Sequence, residues 1–185
     1  MRPHLLGIDD APFDKRQAHE TPIVGVMMEG PDLVEGVAID AFPVDGDGAT
    51  DYLARWVSGL RWHASLQAVV LGGVTIAGLG LVDLAALAER LGRPVLAVTR
   101  RDPSASRLAS ALRAAGLTDR LPILERLPPT RPLAEGLFLA CAGADFAYAA
   151  RLVRASLHKS RLPEPLRVAH LIGAALVNGA SRGNV

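Results

Sequence analysis

The sequence predicts an α/β fold with a mixed β-sheet, an N-terminal antiparallel meander and helices on both faces of the sheet. Apolar runs joined by turn residues fill the first 42 residues, which is typical of adjacent strands. After residue 51, buried strand-like runs alternate with amphipathic helical segments, which indicates β-α-β units. The chain has 185 residues, 50% of them hydrophobic, so we expect a single domain over 1–185 with two C-terminal helices (about 145–179) packed on it.

The first third of the chain contains three predicted strands and one predicted helix. In chain order these are the strands HLLGIDD (4–10), TPIVGVMME (21–29) and LVEGVAIDAF (33–42), and the helix DYLARWVSGL (51–60). The second and third runs flank a Gly-Pro-Asp turn, which predicts an antiparallel hairpin. Thr50 or Asp51 is suited to cap the helix, whose apolar residues recur on one face.

The rest of the chain alternates between the two kinds of element. The predicted strands are 66–73, 94–99, 121–127 and 136–143, and the predicted helices are 81–92, 102–116, 145–160 and 165–179. Continuous apolar strands are buried on both faces, which requires helices on both sides of the sheet. Three adjacent strands followed by β-α-β units is the order of a ribonuclease H-like fold.

Composition excludes several classes of protein. The one cysteine, Cys141, rules out a disulfide framework or a cysteine zinc site within one chain, and its apolar surroundings predict a buried thiol. No uninterrupted apolar stretch reaches 18 residues and the N-terminus lacks the layout of a secretion signal, so we expect a cytoplasmic protein without a membrane partner. Aromatic residues make up only 4%, which disfavours a base-stacking platform.

Charge is distributed unevenly along the chain. Residues 1–51 contain eleven Asp and Glu against three Lys and Arg, whereas residues 52–185 contain eight against seventeen. The overall charge of +1 hides this split. An acidic segment beside a basic remainder is compatible with metal ligands in the first part and phosphate contacts in the second.

Carboxylates at the end of the first strand are the candidate metal ligands. Asp9 and Asp10 end that strand, and because adjacent strand residues point to opposite faces, only one of them can face a given site. Carboxylates converging from neighbouring elements hold divalent metals for phosphoryl hydrolysis. The loop VDGDGATD (44–51) could supply further ligands if it folds beside Asp9. The alternatives are that Asp10 begins a turn and that the loop is solvated.

Basic residues follow a later strand. Arg100 and Arg101 come just after 94–99, at the end of the strand where open α/β sheets usually bind ligands, so they could contact phosphate or simply be solvated. The glycine-rich segment LGGVTIAGLG (71–80) lacks the spacing of a nucleotide-binding loop, and a close approach of the backbone to the sheet or a substrate is the better interpretation.

The two last predicted helices carry further candidates. Arg151, Arg154, His158 and Arg161 recur at steps of three or four residues, which places them on one helical face if the helix extends that far. Such a stripe could follow a phosphate backbone, or it could be an ordinary solvated face. His170 has apolar neighbours and is either a core histidine or a ligand.

Five segments in collinear order resemble a known family over nearly the whole chain. They are GIDD (7–10), PVDGDGAT (43–50), VVLGGVTIAGLGLVD (69–83), RPVLAVTRR (93–101) and LPEPLRVAHLI (162–172). Together they look like the endonuclease V-like family known as domain of unknown function ninety-nine, which is distantly similar to endonuclease V. The resemblance implies a ribonuclease H-like fold and common descent with that metal-dependent nuclease, which nicks DNA or RNA beside deaminated bases.

The resemblance carries roles onto individual residues. Asp9 takes the place of the metal-binding Asp of the first strand, and the second acid corresponds to Asp47 or Asp51, between which the match does not choose. The Pro-Glu-Pro-x-Arg segment resembles the start of the final helix of endonuclease V. His170 then lies where some members carry a functional His or Asp, and Arg100 corresponds to the family's Lys.

Two positions depart from the family pattern. Similar proteins usually read Leu-Asp-Gly where this chain has Leu71-Gly72-Gly73, so the Asp that would complete the metal site is absent. A family His falls at Gly78, which has no functional side chain. Two-metal hydrolysis needs enough negative charge to hold two cations about 4 Å apart, whereas a single Mg²⁺ tolerates few protein ligands.

The resemblance therefore implies a Mg²⁺- or Mn²⁺-dependent endonuclease that cuts nucleic acid, with DNA as the expected partner, near a deaminated base such as uracil or hypoxanthine. In this hypothesis Asp9 and either Asp47 or Asp51 bind the metal and take part in catalysis together with His170. The nucleic-acid contacts are Arg100, Arg101, Arg151 and Arg154. The rival hypothesis, motivated by Gly72 and Gly78, is a non-catalytic nucleic-acid-binding or assembly module. A third is metal-assisted hydrolysis of a small phosphorylated substrate.

Overall fold

A seven-stranded mixed sheet lies at the centre of the computed structural model, which describes residues 1–181. The strands are β1 (His4–Asp10), β2 (Glu20–Glu29), β3 (Leu33–Pro43), β4 (Ala68–Leu71), β5 (Thr75–Ile76), β6 (Gly80–Leu81), β7 (Val95–Thr99), β8 (Arg131–Ala134) and β9 (Leu137–Ala142). The order across the sheet is β3-β2-β1-β4-β7-β9-β8, and β5 and β6 form a separate hairpin. Strands β1, β4 and β7 are parallel and the other pairs are antiparallel, so the predicted mixed sheet with an N-terminal meander is confirmed.

Helices cover both faces of the sheet, as the continuous apolar strands predict. They are α1 (Ala49–Gly59), α2 (Leu84–Leu91), α3 (Ala105–Ala114), α4 (Leu121–Glu125), α5 (Phe146–Ala155) and α6 (Glu164–Asn178). Helices α1 and α2 pack with Leu6 and Ile8 of β1 on one face, and α5 and α6 pack with Leu5 of β1 on the other. No helix among residues 1–181 is long and apolar enough to cross a membrane. The last four residues of the predicted domain lie outside the described part.

The predicted strand at 121–127 is wrong. Leu121–Glu125 forms the short helix α4, with Pro122 in its first turn and a 3₁₀ turn, Thr118–Arg120, directly before it. A seven-residue segment in which Glu125 and Arg126 interrupt the apolar residues does not distinguish a strand from a helix, and proline in the first helical turn favours the helix. The strand is instead β8, in the connection that follows, where Pro132 is tolerated because β8 is the edge of the sheet.

The helix predicted at 145–160 ends before the last two residues of the predicted basic stripe, His158 and Arg161. Helix α5 ends at Ala155, and Leu157 then pairs with Pro163 in an isolated β-bridge that pulls the chain away from the helix axis. His158 and Arg161 consequently lie outside the helix and do not continue the face of Arg151 and Arg154.

Helix α6 lies directly against the backbone of β1. A Cβ atom added at Gly7 would lie 2.3 Å from the backbone N of Leu166 and 2.3 Å from the carbonyl carbon of Pro165. Farther along, a Cβ on Gly173 would lie 3.1 Å from the Cα of Ala11. The strand advances about 13 Å from residue 7 to residue 11, and the helix advances about 11 Å between its two contacts. Helix and strand therefore run side by side and in step.

We expect Gly7→Ala to lower the free energy of unfolding by about 3 kcal/mol, because the added methyl group would meet backbone atoms that cannot rotate away. Denaturant unfolding measures the change. The matched control is Gly59→Ala in α1, where an added Cβ meets nothing within 4 Å and alanine favours the helix. Equal effects of the two substitutions would contradict the close packing of α6 on β1.

Candidate functional site

The candidate site lies at one end of the sheet, just beyond the last residues of the three parallel strands. Asp9 and Asp10 end β1, Gly72 follows β4, and Arg100 follows β7. Because the strands are parallel, their carboxyl ends lie side by side at the same end of the sheet, which is where open α/β sheets bind ligands. The sheet thus brings together residues that are far apart in the sequence.

Asp9 and His170 contact each other at this end of the sheet. His170 Nδ1 lies 2.9 Å from Asp9 Oδ2, across 161 positions of sequence. The Asp9 side chain is 20% exposed and that of His170 is 60% exposed, so His170 is not a core histidine. The hydrogen bond to Asp9 raises the pKa of His170, against the opposing effects of partial burial and of the Arg100 charge. Asp9 therefore makes the imidazole easier to protonate, and most of the His170 side chain stays exposed.

Asp10 points to the opposite face of the sheet, as the alternation of strand side chains predicts. Its Oδ2 accepts a hydrogen bond of 3.1 Å from the backbone N of Ala77 in the glycine-rich segment. Burial, followed by the nearby charge of Asp9, raises the pKa of Asp10 to about 6. The two adjacent carboxyl groups therefore differ: Asp9 is paired with the imidazole of His170, and Asp10 holds a loop.

Asp45 holds the other side of the same glycine-rich loop. Its backbone N donates to the carbonyl of Ala77 at 2.8 Å, and its Oδ1 accepts from the backbone N of Leu79 at 2.8 Å and from Lys15 Nζ at 3.2 Å. Asp45 and Ala77 both have positive φ, of 54° and 48°. At Gly78, φ is +92° and an added Cβ would lie 2.3 Å from Asp45 Oδ1. A side chain at Gly78 would therefore strain the backbone and displace the Asp45 carboxylate from its hydrogen bonds.

Asp47 and Asp51 are occupied elsewhere. Asp47 Oδ1 accepts from the backbone N of Gly48, at 2.7 Å, and Asp51 forms an ion pair with Arg90. Both line a cleft of about 240 Å³ at the start of α1, together with Thr50, Asp83, Arg90, Arg120 and Arg126. Within residues 1–181, neither belongs to a group with Asp9 in which three ligand atoms lie within 4.8 Å of one another. Asp51 is therefore paired away from Asp9 in this structure, and the choice between the two acids stays a prediction.

Gly72 leaves an open position beside Asp9. An added Cβ would lie 3.4 Å from Asp9 Oδ1 and 3.8 Å from Leu166 Cδ1, and the backbone of Gly72 is not left-handed. The carboxylate that the family pattern places here would therefore lie next to Asp9.

The donor set at this end of the sheet suits one hard cation rather than two. Asp9 binds His170 through Oδ2, which leaves Oδ1 facing the open position at Gly72. Asp10 uses Oδ2 to hold Ala77. One or two carboxylates, with water completing the coordination shell, are enough for Mg²⁺, whereas two metal ions need more negative charge. Asp10 faces the other side of the sheet, so Asp9 Oδ1 is the carboxylate oxygen that would hold a single Mg²⁺ or Mn²⁺ ion here, with water as the other ligands.

The arginines fall into two groups. Arg100 and Arg101 are exposed after β7, in a turn fixed by the 2.8 Å hydrogen bond from Thr99 Oγ1 to the carbonyl of Arg101. Arg154 donates to the carbonyl of Leu133 in β8 at 3.3 Å. Strand β8 lies four positions from β1 in the sheet, a distance of about 19 Å at the usual strand spacing. The structure therefore does not bring Arg154 close to Asp9.

Arg151 stands on the same helix as Arg154, with its guanidinium carbon 5.4 Å from the centre of the Tyr148 ring. Both arginines are exposed. They form a separate basic area rather than part of the group around Asp9.

The sequence patterns did not point to Arg120, a 5% exposed residue that also holds the glycine-rich loop contacted by Asp10 and Asp45. Its Nη1 donates to the carbonyl of Leu79 at 2.6 Å and its Nη2 to the carbonyl of Asp45 at 2.8 Å. No sequence signal indicates this role, because arginine is ordinarily exposed and Arg120 precedes the segment that was expected to be a strand.

Comparison with solved structures defines the class of fold. The crystal structure of a protein from Archaeoglobus fulgidus superposes with a TM-score of 0.88 at 32% identity and covers 96% of this chain and 100% of that chain. Endonuclease V of Ciona intestinalis, in complex with a DNA containing inosine, has a TM-score of 0.59 at 12% identity and covers 91% and 82%. Endonuclease V of Streptomyces avermitilis has a TM-score of 0.58 at 18% identity, over 91% and 78%. The fold is that of endonuclease V, and the predicted ribonuclease H-like class is confirmed.

The sequence comparisons then specify the family. The model of the endonuclease dU family matches residues 2–177, and the chain belongs to this family. A UPF0215 protein of Methanothermobacter thermautotrophicus is 37% identical over 184 residues, covering 97% of this chain and 90% of the relative. A UPF0215 protein of Deinococcus radiodurans is 38% identical over 182 residues, covering 97% and 92%. The predicted endonuclease V-like family is confirmed, and family and fold together indicate a nuclease.

The raised pKa of Asp10 gives a prediction about stability and pH. A carboxyl group whose pKa is higher in the folded chain favours folding while it is protonated, so this contribution is complete below about pH 4 and is lost as the pH rises through about 6. With a chelator present, Asp10→Asn should leave the free energy of unfolding unchanged at pH 4 and raise it by about 3 kcal/mol at pH 8. Denaturant unfolding at the two pH values tests this. An effect of equal size at both would contradict it.

Proposed function

We propose that this protein is a metal-dependent endonuclease that cuts nucleic acid, with DNA as its substrate, at or near deaminated bases such as uracil or hypoxanthine. The observation that carries the proposal is the Asp9–His170 pair, 2.9 Å apart at the carboxyl end of β1 in a protein with the fold of endonuclease V. The name of the family, endonuclease dU, supports deoxyuridine as the lesion. The inosine in the DNA bound by endonuclease V of Ciona intestinalis supports hypoxanthine as a second.

Asp9 is the proposed ligand of the catalytic metal ion through Oδ1, the oxygen that does not contact His170. A bound Mg²⁺ or Mn²⁺ would supply an activated water and stabilise negative charge on the phosphate. Asp47 or Asp51 remains the proposed second acid, and its loop would have to approach Asp9. For Asp51 this would mean leaving Arg90, with which it is paired.

His170 is the proposed proton donor. Its Nδ1 is bonded to Asp9, so Nε2 is the nitrogen available to a substrate, and the pKa raised by Asp9 keeps the ring protonated nearer to neutral pH. A protonated imidazole at this position can donate to the oxygen that leaves when the phosphodiester bond breaks. The Arg100 guanidinium, which is within electrostatic reach of His170, would bind the phosphate.

The remaining arginines would hold the nucleic acid away from the cut. Arg101 continues the exposed turn of Arg100, and Arg151 and Arg154 lie on α5, toward the far edge of the sheet. The separation of about 19 Å between β1 and β8 corresponds to between five and six nucleotides along a duplex strand, at about 3.4 Å each. Phosphate contacts at both places would fix the register of the strand without reading its sequence.

Cleavage assays with labelled DNA and RNA containing one uracil, one hypoxanthine or no lesion, with Mg²⁺ or Mn²⁺, test the proposal. We expect wild-type protein to nick lesion-containing DNA only with metal, Asp9→Asn to lower the rate by about a thousandfold, and His170→Ala to lower it by about a hundredfold. The proposal is overturned if the wild-type protein makes no metal-dependent nick, or if Asp9→Asn nicks as fast as the wild type does.

Asp47→Ala and Asp51→Ala are a matched pair from the same loop. The acid that binds the metal together with Asp9 is the one whose substitution lowers the cleavage rate about as much as Asp9→Asn does. The other variant then serves as the control. If neither variant changes the rate, the loop provides no ligand and the metal is held by Asp9 with water.

The open position at Gly72 favours a second candidate function, a nucleic-acid-binding or assembly module without cleavage. In that case the protein would bind DNA in a salt-sensitive manner through its arginines, and Asp9→Asn would not affect binding. Binding without metal-dependent cleavage in the same assays would favour this candidate over the nuclease.

Gly72→Asp should restore a carboxylate next to Asp9. We expect the substitution to tighten Mn²⁺ binding at least about tenfold, measured by calorimetry, because a second charged ligand joins the single one present. The control is Gly72→Asn, which has the same shape without the charge. Equal affinity of the two variants would show that the position does not face the metal.

A further inference from the structure

One imidazole and two carboxylates lie together at the opposite end of the sheet from Asp9. His4 begins β1, Glu29 ends β2, and Glu35 lies near the start of β3. One ligand atom from each lies within 4.8 Å of the other two, which is true of no other group of three such residues within 1–181. We propose that these residues form a second divalent-metal site, with Zn²⁺ as the preferred ion.

The backbone places the three side chains on rigid strands. His4 and Glu29 are directly paired across β1 and β2, so their side chains share one face of the sheet. The register of β2 and β3 shifts from Met27–Gly36 to Met28–Val34, which leaves Glu35 as the extra residue of a β-bulge. Bulges redirect a side chain from its regular direction, and here Glu35 reaches His4. Ligands on paired strands are organised before a metal binds.

The spacing and chemistry of the donors suit zinc. His4 Nε2 lies 3.3 Å from Glu35 Oε2, and two ligands bonded to one tetrahedral zinc ion at about 2.0 to 2.1 Å are about 3.3 Å apart. The imidazole is a borderline donor that Zn²⁺ accepts and that Mg²⁺, with its preference for oxygen and water, does not, whereas the two carboxylates suit either ion. Three protein ligands leave the fourth position of the ion to water.

The surrounding charge also favours a cation. Asp32 adds a third carboxylate close to Glu29, since Arg2 contacts both, with Nε 3.1 Å from Glu29 Oε1 and Nη2 2.8 Å from Asp32 Oδ1. Glu29, Glu35 and Asp32 together carry more negative charge than Arg2 neutralises. Arg2 bonds one of the two oxygens of Glu29, which leaves the other for a metal.

The proposed zinc site is separate from the proposed nuclease site. His4 and Asp9 are five residues apart on β1, which is about 17 Å along a strand, and their side chains point to opposite faces. A metal ion at His4 would join β1, β2 and β3 and so stabilise the N-terminal meander, because an ion that binds only the folded chain raises its stability.

Metal binding by the chelator-treated full chain tests the proposal, in excess Mg²⁺ so that any magnesium site is filled. Calorimetry with Zn²⁺ should show one equivalent bound, Co²⁺ should give the visible absorption of a tetrahedral site, and Zn²⁺ should raise the thermal midpoint. His4→Ala and Glu35→Gln should each weaken binding by about a hundredfold or more. Arg2→Gln should tighten it several-fold by freeing Glu29 and removing a positive charge.

Two variants are the controls. His19→Ala removes an exposed histidine just before β2, at the other end of that strand from Glu29, and Asp9→Ala removes the proposed nuclease ligand; both should bind Zn²⁺ as the wild type does. The proposal is overturned if the wild type binds no Zn²⁺ in these conditions, if His4→Ala leaves the affinity unchanged, or if Asp9→Ala abolishes binding. None of these results bears on cleavage, so the zinc site and the nuclease can fail independently.

Discussion

The contact between the backbone of α6 and Gly7 of β1 is the constraint on which the geometry of the candidate site depends. Because residue 7 has no side chain, the helix lies directly on the strand and carries His170 to the level of Asp9. The start of the helix is fixed by Glu164, which is 3% exposed and accepts from Arg167 Nε at 2.8 Å and from the backbone N of Lys159 at 3.2 Å. A buried carboxylate is tolerated only when it is paired in this way, so the Pro-Glu-Pro-x-Arg segment anchors the helix that presents His170.

The site also shows how closely spaced acids are accommodated. Asp9 and Asp10 are neighbours in sequence, and two ionised carboxylates so close together repel each other. The strand separates them onto two faces, where Asp9 meets His170, and burial together with the remaining repulsion by Asp9 raises the pKa of Asp10 to about 6. Asp45 is balanced by Lys15 and Asp51 by Arg90. Much of the acidic charge of residues 1–51 therefore has a structural role, which the charge split alone does not reveal.

Sequence patterns predicted most elements and part of the site, and the failures have physical causes. The long strands β2 and β3 and the helix α6 were predicted because their patterns extend over ten or more residues. The short α4 and β8 were not, because four or five residues carry too little periodicity to distinguish strand from helix. At the site, the family resemblance pointed to Asp9 and His170, whereas the buried Arg120 had no signal at all.

The sequence by itself determined the long strands and helices, the family and the absence of a carboxylate at Gly72, because these are properties of single residues and of local patterns. Only the tertiary structure decided which of those residues meet. Asp9 finds His170 across 161 positions, whereas Asp51 is taken by Arg90 and Gly78 is closed by Asp45. Such encounters depend on the register of the sheet and on the packing of α6 against β1, and both are set by contacts between distant segments that no local pattern encodes.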